Sequence, residues 1–291
     1  MQIAYHLGAH FTDEDRLLHC LLKSKGVLMN EGIHIPGPSK YRGLLRDTMI
    51  SLRGRTAPAE TQELILDTVL DDEKAKRIVF SNQSFFCMPA KIMSRGQFYH
   101  SAGEKAQWLS QILPEAECEF HIALRNPATF IPALFARMRN VDFESLMEGF
   151  DLNRLLWSDV IQRIMAANPG VKLTVWCNED SPVIWHDILK ALSGHGEGTE
   201  LVGTDDFLSS IMTETGMARM NTYIASHPPA TDAQRRRIIA AFLDKFAIED
   251  EVEVELDLPG WTEQVVDQIN NTYDEDVYNI EQMPGVTFLA P

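Results

Sequence analysis

Residues 2–16 read QIAYHLGAHFTDEDR, and the reading of this stretch decides the fold. Residues 2–7 are short and largely apolar and stop at Gly8, the form of a buried strand. Thr12 then opens a helical pattern, with Leu17, Leu18, Leu21, Leu22 and Leu28 spaced for one face. Gly32, Pro36, Gly37 and Pro38 end the unit. A strand that runs through a glycine-containing loop straight into a helix is a natural anion site. Free backbone N–H groups and the positive end of the helix dipole both face the loop.

Outward from that unit, strands and helices alternate. Strands are expected over 77–81 (RIVFS), 118–124 (CEFHIAL) and 171–177 (VKLTVWC). Helices are expected over 58–72, 102–113, 128–139, 151–167, 183–193 and 204–215, with Pro132 as a kink. This order implies an α/β fold, a mostly parallel sheet flanked by helices. The tail differs. Residues 231–246 and 261–280 read as amphipathic helices joined by an acidic segment with Glu249, Asp250, Glu251, Glu253, Glu255 and Asp257. The expected organisation is an α/β domain over 1–225 and a helical, acidic C-terminal extension over 226–291, packed on the same domain. In the last helix Trp261, Val265, Ile269, Tyr273, Val277 and Ile280 recur at helical spacing, as core packing requires.

The totals bound the function. A chain of 291 residues, 45% hydrophobic, buries a sizeable core without staples. A formal net charge of -16 argues against nucleic acid or an anionic membrane as a general partner. The N-terminus lacks a basic stretch followed by an apolar one, and no long apolar run occurs, so cytoplasmic residence is expected. Cys20, Cys87, Cys118 and Cys177 are scattered with no CxxC pair and read as free thiols. No GxSxG, GxGxxG or Ser-His-Asp signature is found.

The loop His6-Leu7-Gly8-Ala9-His10-Phe11-Thr12 resembles the P-loop of the bacterial sulfotransferase-like family. That family's pattern is roughly HxGxHKTGTTxLQ, followed by a helix and a GVxxPG turn. His6, Gly8, Ala9, His10, Thr12 and Leu17 match in register, and Gly32, Ile33, Pro36 and Gly37 match the closing turn. The resemblance implies a P-loop fold that binds 3′-phosphoadenosine 5′-phosphosulfate (PAPS). Gly8 and Thr12 would lie in the donor loop, Ser81 at the end of the second strand, and Arg125 at the 3′-phosphate. It also implies sulfuryl transfer to a hydroxyl or amine acceptor; in an active transferase with an atypical donor site, His10 is the candidate base.

The departures fall on the chemistry. Phe11 stands for the family's lysine, Asp13 for its glycine, and Glu14 and Asp15 for its two threonines. Further on, Ala133 replaces a serine and Phe135 a tyrosine. The loop therefore offers three carboxylates and no cation, and like charges ~4 Å apart repel by ~1 kcal/mol even in water. The same residues suit a helix start, with Thr12 as N-cap and Asp15 as capping-box partner. The expectation is a sulfotransferase-like protein with a degenerate PAPS site: a non-catalytic or repurposed binding protein with no cofactor and no metal. The alternative is an active transferase whose atypical donor site uses Arg125 and a basic cluster. That cluster, Lys40, Arg42, Arg46, Arg53 and Arg55, suits an anionic small ligand or the acidic surface of a second copy in a homo-oligomer. It also suits a solvated helix face. A Thr12-capped helix with filled space above it favours the binding protein; an open pocket lined by Arg125, Arg42 or Arg46 favours the transferase.

Overall fold

The computed structural model describes residues 1–71, 75–138, 141–147, 149–252 and 258–291. The chain opens with β1 (Gln2–His6), whose Ile3 and Tyr5 pack into one apolar layer and Ala4 into the other. Helices α1 (Arg16–Lys23) and α2 (Lys25–Asn30) lead to the short β2 (Ile33–His34). Helices α3 (Pro38–Leu52) and α4 (Ala59–Val69) then precede β3 (Arg77–Ser81). A two-stranded hairpin, β4 (Met93–Ser94) with β5 (Gln97–Phe98), stands apart before α5 (Ala102–Ser110). There follow β6 (Glu117–Leu124), α6 (Pro127–Arg137), α7 (Phe143–Met147), α8 (Trp157–Ala167) and β7 (Lys172–Cys177). The C-terminal part holds α9 (Ser181–Ser193), α10 (Asp206–Ile211), α11 (Glu214–Ser226), α12 (Asp232–Phe246), α13 (Glu249–Val252), α14 (Glu263–Glu281) and β8 (Val286–Leu289).

The main sheet has the order β2-β3-β1-β6-β7-β8, and its neighbours all run parallel. Its central strands are buried on both faces, as a parallel sheet between helices must be. One face carries Tyr5, Phe80 and Phe120 against α3, α5, α6, α8 and α14. The other carries Ala4, Val79, Ala123 and Trp176 against Leu17, Leu18 and Leu21 of α1 and Ile184, Ile188 and Leu192 of α9. The α11–α12 hairpin has its own small core, with Met212, Met217, Met220 and Ile239. The register sets His6 beside Ser81 on one side and His121 on the other. The carboxyl ends of β1 and β3 thus meet at one edge, beside the middle of β6.

Three expectations need correction. The first helix does not start at Thr12: α1 begins at Arg16 and ends at Lys23, and Ser24 turns the chain into α2. The C-terminal extension is not purely helical, because β8 pairs with Leu173–Trp176 of β7. The boundary at 225/226 falls inside α11, which pairs with α12 as one hairpin. The tail stripe is core, with Trp261, Ile269, Tyr273 and Ile280 buried in the main cluster and Val265 and Val277 packed against it. In the acidic segment Glu249, Asp250 and Glu251 fall in α13, whereas Glu253, Glu255 and Asp257 lie outside the described residues. Among the described residues no helix is long and apolar enough to cross a membrane.

Candidate functional site

In an open parallel sheet, ligands bind beyond the carboxyl ends of strands whose outgoing loops diverge. Here β1 leads away toward β2 and the neighbouring β6 leads the other way toward β7, so the crevice lies between residues 7–15 and residues 125–126. The predicted residues Gly8, His10, Thr12, Ser81 and Arg125 all gather at this edge. What they bond to decides the chemistry.

The loop first continues the β-ladder. Leu7 donates to His121 O (2.8 Å), Ala9 to Ala123 O (3.0 Å), and Ala123 donates back to Gly8 O (2.7 Å). Gly8 has φ 98°, and an added Cβ would lie 3.1 Å from Gln83 Cα, so both conformation and space call for glycine. Phe11, Glu14 and Asp15 are also left-handed, with φ of 59°, 46° and 67°.

Except for Glu14, which is exposed, the polar groups of the loop bond within the chain. Thr12 Oγ1 donates to Ala9 O at 2.9 Å instead of capping the helix. Asp13 takes the capping role, its Oδ2 accepting from Leu17 N at 3.2 Å. Asp15 is no capping-box partner: its carboxylate holds the Arg42 guanidinium through two hydrogen bonds. Arg42 Nε also donates to Ser81 O at 3.0 Å, and Ser81 Oγ lies 2.9 Å from His6 Nδ1. Phe11 packs edge-on against Phe130, and its carbonyl accepts from Arg125 Nη1. Arg125 also donates to Thr129 Oγ1 at 3.0 Å, and burial lowers its pKa. His10 is buried; its Nδ1 lies 2.7 Å from the Tyr99 hydroxyl, which also accepts from the His10 backbone N–H. Burial lowers the His10 pKa to about 4, so the ring is neutral at pH 7.

This arrangement does not fit a phosphosulfate group. Both arginines at the edge are held by the chain's own oxygens, and the loop adds carboxylates where an anion would need donors. His10 as base lacks access, since the residue is 1% exposed. Among the described residues no three His, Cys, Asp or Glu side chains are grouped to hold a metal ion.

Sequence reasoning missed two features. One is a buried polar row behind the site. Glu119 accepts from Arg77 and lies 2.9 Å from His121 Nε2. Burial pushes Glu119 up, but His121 and Arg77 outweigh it and hold the carboxyl at about 2. Arg77 also donates to the last carbonyls of α9, at Ala191 and Leu192, so this row is a structural clasp. Single charged residues on separate strands give no local signal. The other is a cavity of about 380 Å³ across β3 from the loop, reached by Arg42, Arg46 and Lys105 but not by Arg125. The basic cluster pointed to two of these residues; Lys105, from α5, carried no signal.

Comparison with protein-family models, with curated proteins and with solved structures finds no match for this chain.

Proposed function

We propose that this chain is a binding protein on a sulfotransferase-like frame, with a degenerate donor site, that takes an anionic small molecule other than PAPS. One observation carries the reading: Asp15 and the Phe11 carbonyl occupy Arg42 and Arg125, two cations that bond the loop. The parallel sheet, with the glycine loop and Arg125 together at its carboxyl edge, supports the frame. Displacing Asp15 from a half-buried guanidinium would cost an incoming phosphate most of what it gained. The test is calorimetric titration with adenosine 3′,5′-bisphosphate, alongside its effect on the melting temperature. The expected result is no heat of binding and no shift, because a ligand bound to the native state must stabilise it. Saturable binding at micromolar nucleotide sinks the reading.

A second reading has its own observation. Arg42 and Arg46 do line an open cavity, as an atypical donor site would require. Under that reading the chain moves a sulfuryl group to a hydroxyl or amine acceptor. Sulfur-labelled PAPS offered with a panel of hydroxyl and amine acceptors distinguishes the two: label on an acceptor favours the transferase.

A further inference from the structure

The cavity beside the donor loop has a composition at odds with the rest of the molecule. It lies between α3 and the segment following β3, and its volume of about 380 Å³ is that of a small-molecule site. Arg42, Arg46 and Lys105 line it, and among the described residues no carboxylate does. The chain as a whole carries a net charge of -16, and the polar cavity between α9 and α12 mixes Lys190 and Arg235 with Asp187 and Asp232. A site bare of acid in such a chain draws anions.

The cations differ in availability. Arg42 is held by Asp15 and the Ser81 carbonyl. Among the described residues Arg46 pairs with its neighbour Asp47 at 2.9 Å, and both side chains are 67% exposed, so that pair is weak. The Lys105 ammonium lies over the Trp108 ring, 3.2 Å from its centre. Burial lowers its pKa, a cost that a bound anion would offset.

The remaining wall is apolar. Phe85, Phe86 and Met49 are buried against it, whereas Ile50 and Met88 are 56% and 63% exposed. Exposed apolar side chains next to Arg46, whose one ion pair is solvent-exposed, and Lys105, which lies over a ring, match a ligand with a charged head and an apolar body. Gly43 adds a steric observation. It lies inside α3, where glycine weakens a helix, and it lines the cavity. A Cβ added there meets nothing within 4 Å, so packing does not require glycine, and its absence of side chain leaves the space open.

We propose that this cavity binds an amphipathic organic anion, a carboxylate, sulfate ester or sulfonate on an alkyl or aryl body. The head meets Arg46 and Lys105, and the body lies on Phe85, Phe86 and Met49. This names the ligand of the binding reading and rests on that reading for its biological role, though not for its geometry.

The test is titration of the full chain with decanoate, followed by calorimetry and melting temperature, with decan-1-ol and sodium sulfate as the apolar and ionic halves of the probe. Decanoate is expected to bind saturably and raise the melting temperature, and neither half to do so at equal concentration. Arg46→Gln and Lys105→Gln should each weaken decanoate about tenfold, the loss of one charge-assisted contact. Gly43→Leu should abolish the response while the chain melts no lower than the parent, because leucine is the better helix former. Absence of a saturable decanoate response overturns the proposal. So does a response that survives both Gly43→Leu and the paired charge removals, or one that decan-1-ol reproduces. Self-association lost in Met88→Asp, without a decanoate response, assigns the face to a second copy and overturns it too. Nucleotide binding with decanoate binding intact would instead defeat the binding-protein reading and leave this site standing.

Discussion

At Asp15 the backbone is left-handed and the carboxylate grips Arg42, so this acid ties α1 to α3 and does not cap its own helix. The three loop acids therefore differ in weight. Asp15→Asn should lower stability by about 1–2 kcal/mol, the worth of a half-buried charged hydrogen-bond pair. Asp13→Ala should cost about 1 kcal/mol through the lost contact to Leu17 N. Glu14, which is exposed, should tolerate Gln within about 0.5 kcal/mol. Urea denaturation of the three variants checks this order, and equal losses at all three positions would refute it. The histidines make a second prediction. His6, His10 and His121 are buried, each with one ring nitrogen lacking a partner, and burial lowers all three pKa values. The unfolded chain therefore takes up more protons as pH falls. Their contribution is complete above the ordinary imidazole value of about pH 6.5 and is lost as pH falls below it, for His10 on the way down to about pH 4. His10 alone, lowered from 6.5 to about 4, accounts for about 3 kcal/mol across that window. Urea midpoints should fall between pH 7 and pH 4.5, with a flatter slope in His10→Asn. An unchanged slope in that variant would contradict the assignment.

Among the elements, α14 does the most to hold the carboxyl edge of the sheet in place. Its Asp276 is 4% exposed, and one oxygen, Oδ2, accepts from Trp157 N at 2.7 Å and Ser158 N at 3.1 Å, capping α8 from another helix. Its Tyr273 hydroxyl donates to Glu179, which also accepts from Asn126 N, and its Asn270 accepts from the Asn126 side chain. The loop after β6, and with it Arg125, is thereby braced from the far end of the chain. Asp276→Ala removes both cap bonds and should cost about 2 kcal/mol. Asp276→Asn keeps an amide oxygen for both donors, so its loss should stay under about 1 kcal/mol. Chemical denaturation of the pair separates a hydrogen-bonded cap from a purely electrostatic one, for which the two losses would be equal.

For the whole molecule, the C-terminal residues complete the main fold. Trp261, Ile269, Tyr273 and Ile280 share a core with Tyr5 and Phe120, and β8 covers the edge of β7. A chain ending at residue 225 would bare this core and cut α11 at its last turn. It should show no cooperative thermal transition and should expose apolar surface to a fluorescent dye, whereas two independent domains would leave a folded fragment. The separate core under α11 and α12 is smaller, so hydrogen exchange should show that hairpin opening before the sheet.

Much of this architecture was legible in local sequence. The strands at 2–6, 77–81, 118–124 and 172–177 are apolar runs bounded by turn residues, and burial on both faces imposes that composition wherever the strand lies. The gathering of Gly8, Ser81 and Arg125 at one edge followed from the same alternation, because parallel strands joined by helices bring their carboxyl ends together. Other features were settled by partners far away in the chain. β8 is four residues long, too short for a periodic signal, and exists because β7 offers an unpaired edge. Asp15 carried every sign of a capping residue, yet Arg42, brought over by α3, offered a charged partner worth more than a helix N–H. His10 and Thr12 matched a catalytic pattern by spacing alone, and only packing against Tyr99 and the fold of the loop back onto Ala9 settled their bonds. Spacing records which groups a helix or strand will present; whether they face solvent, a ligand or each other depends on which surface closes over them.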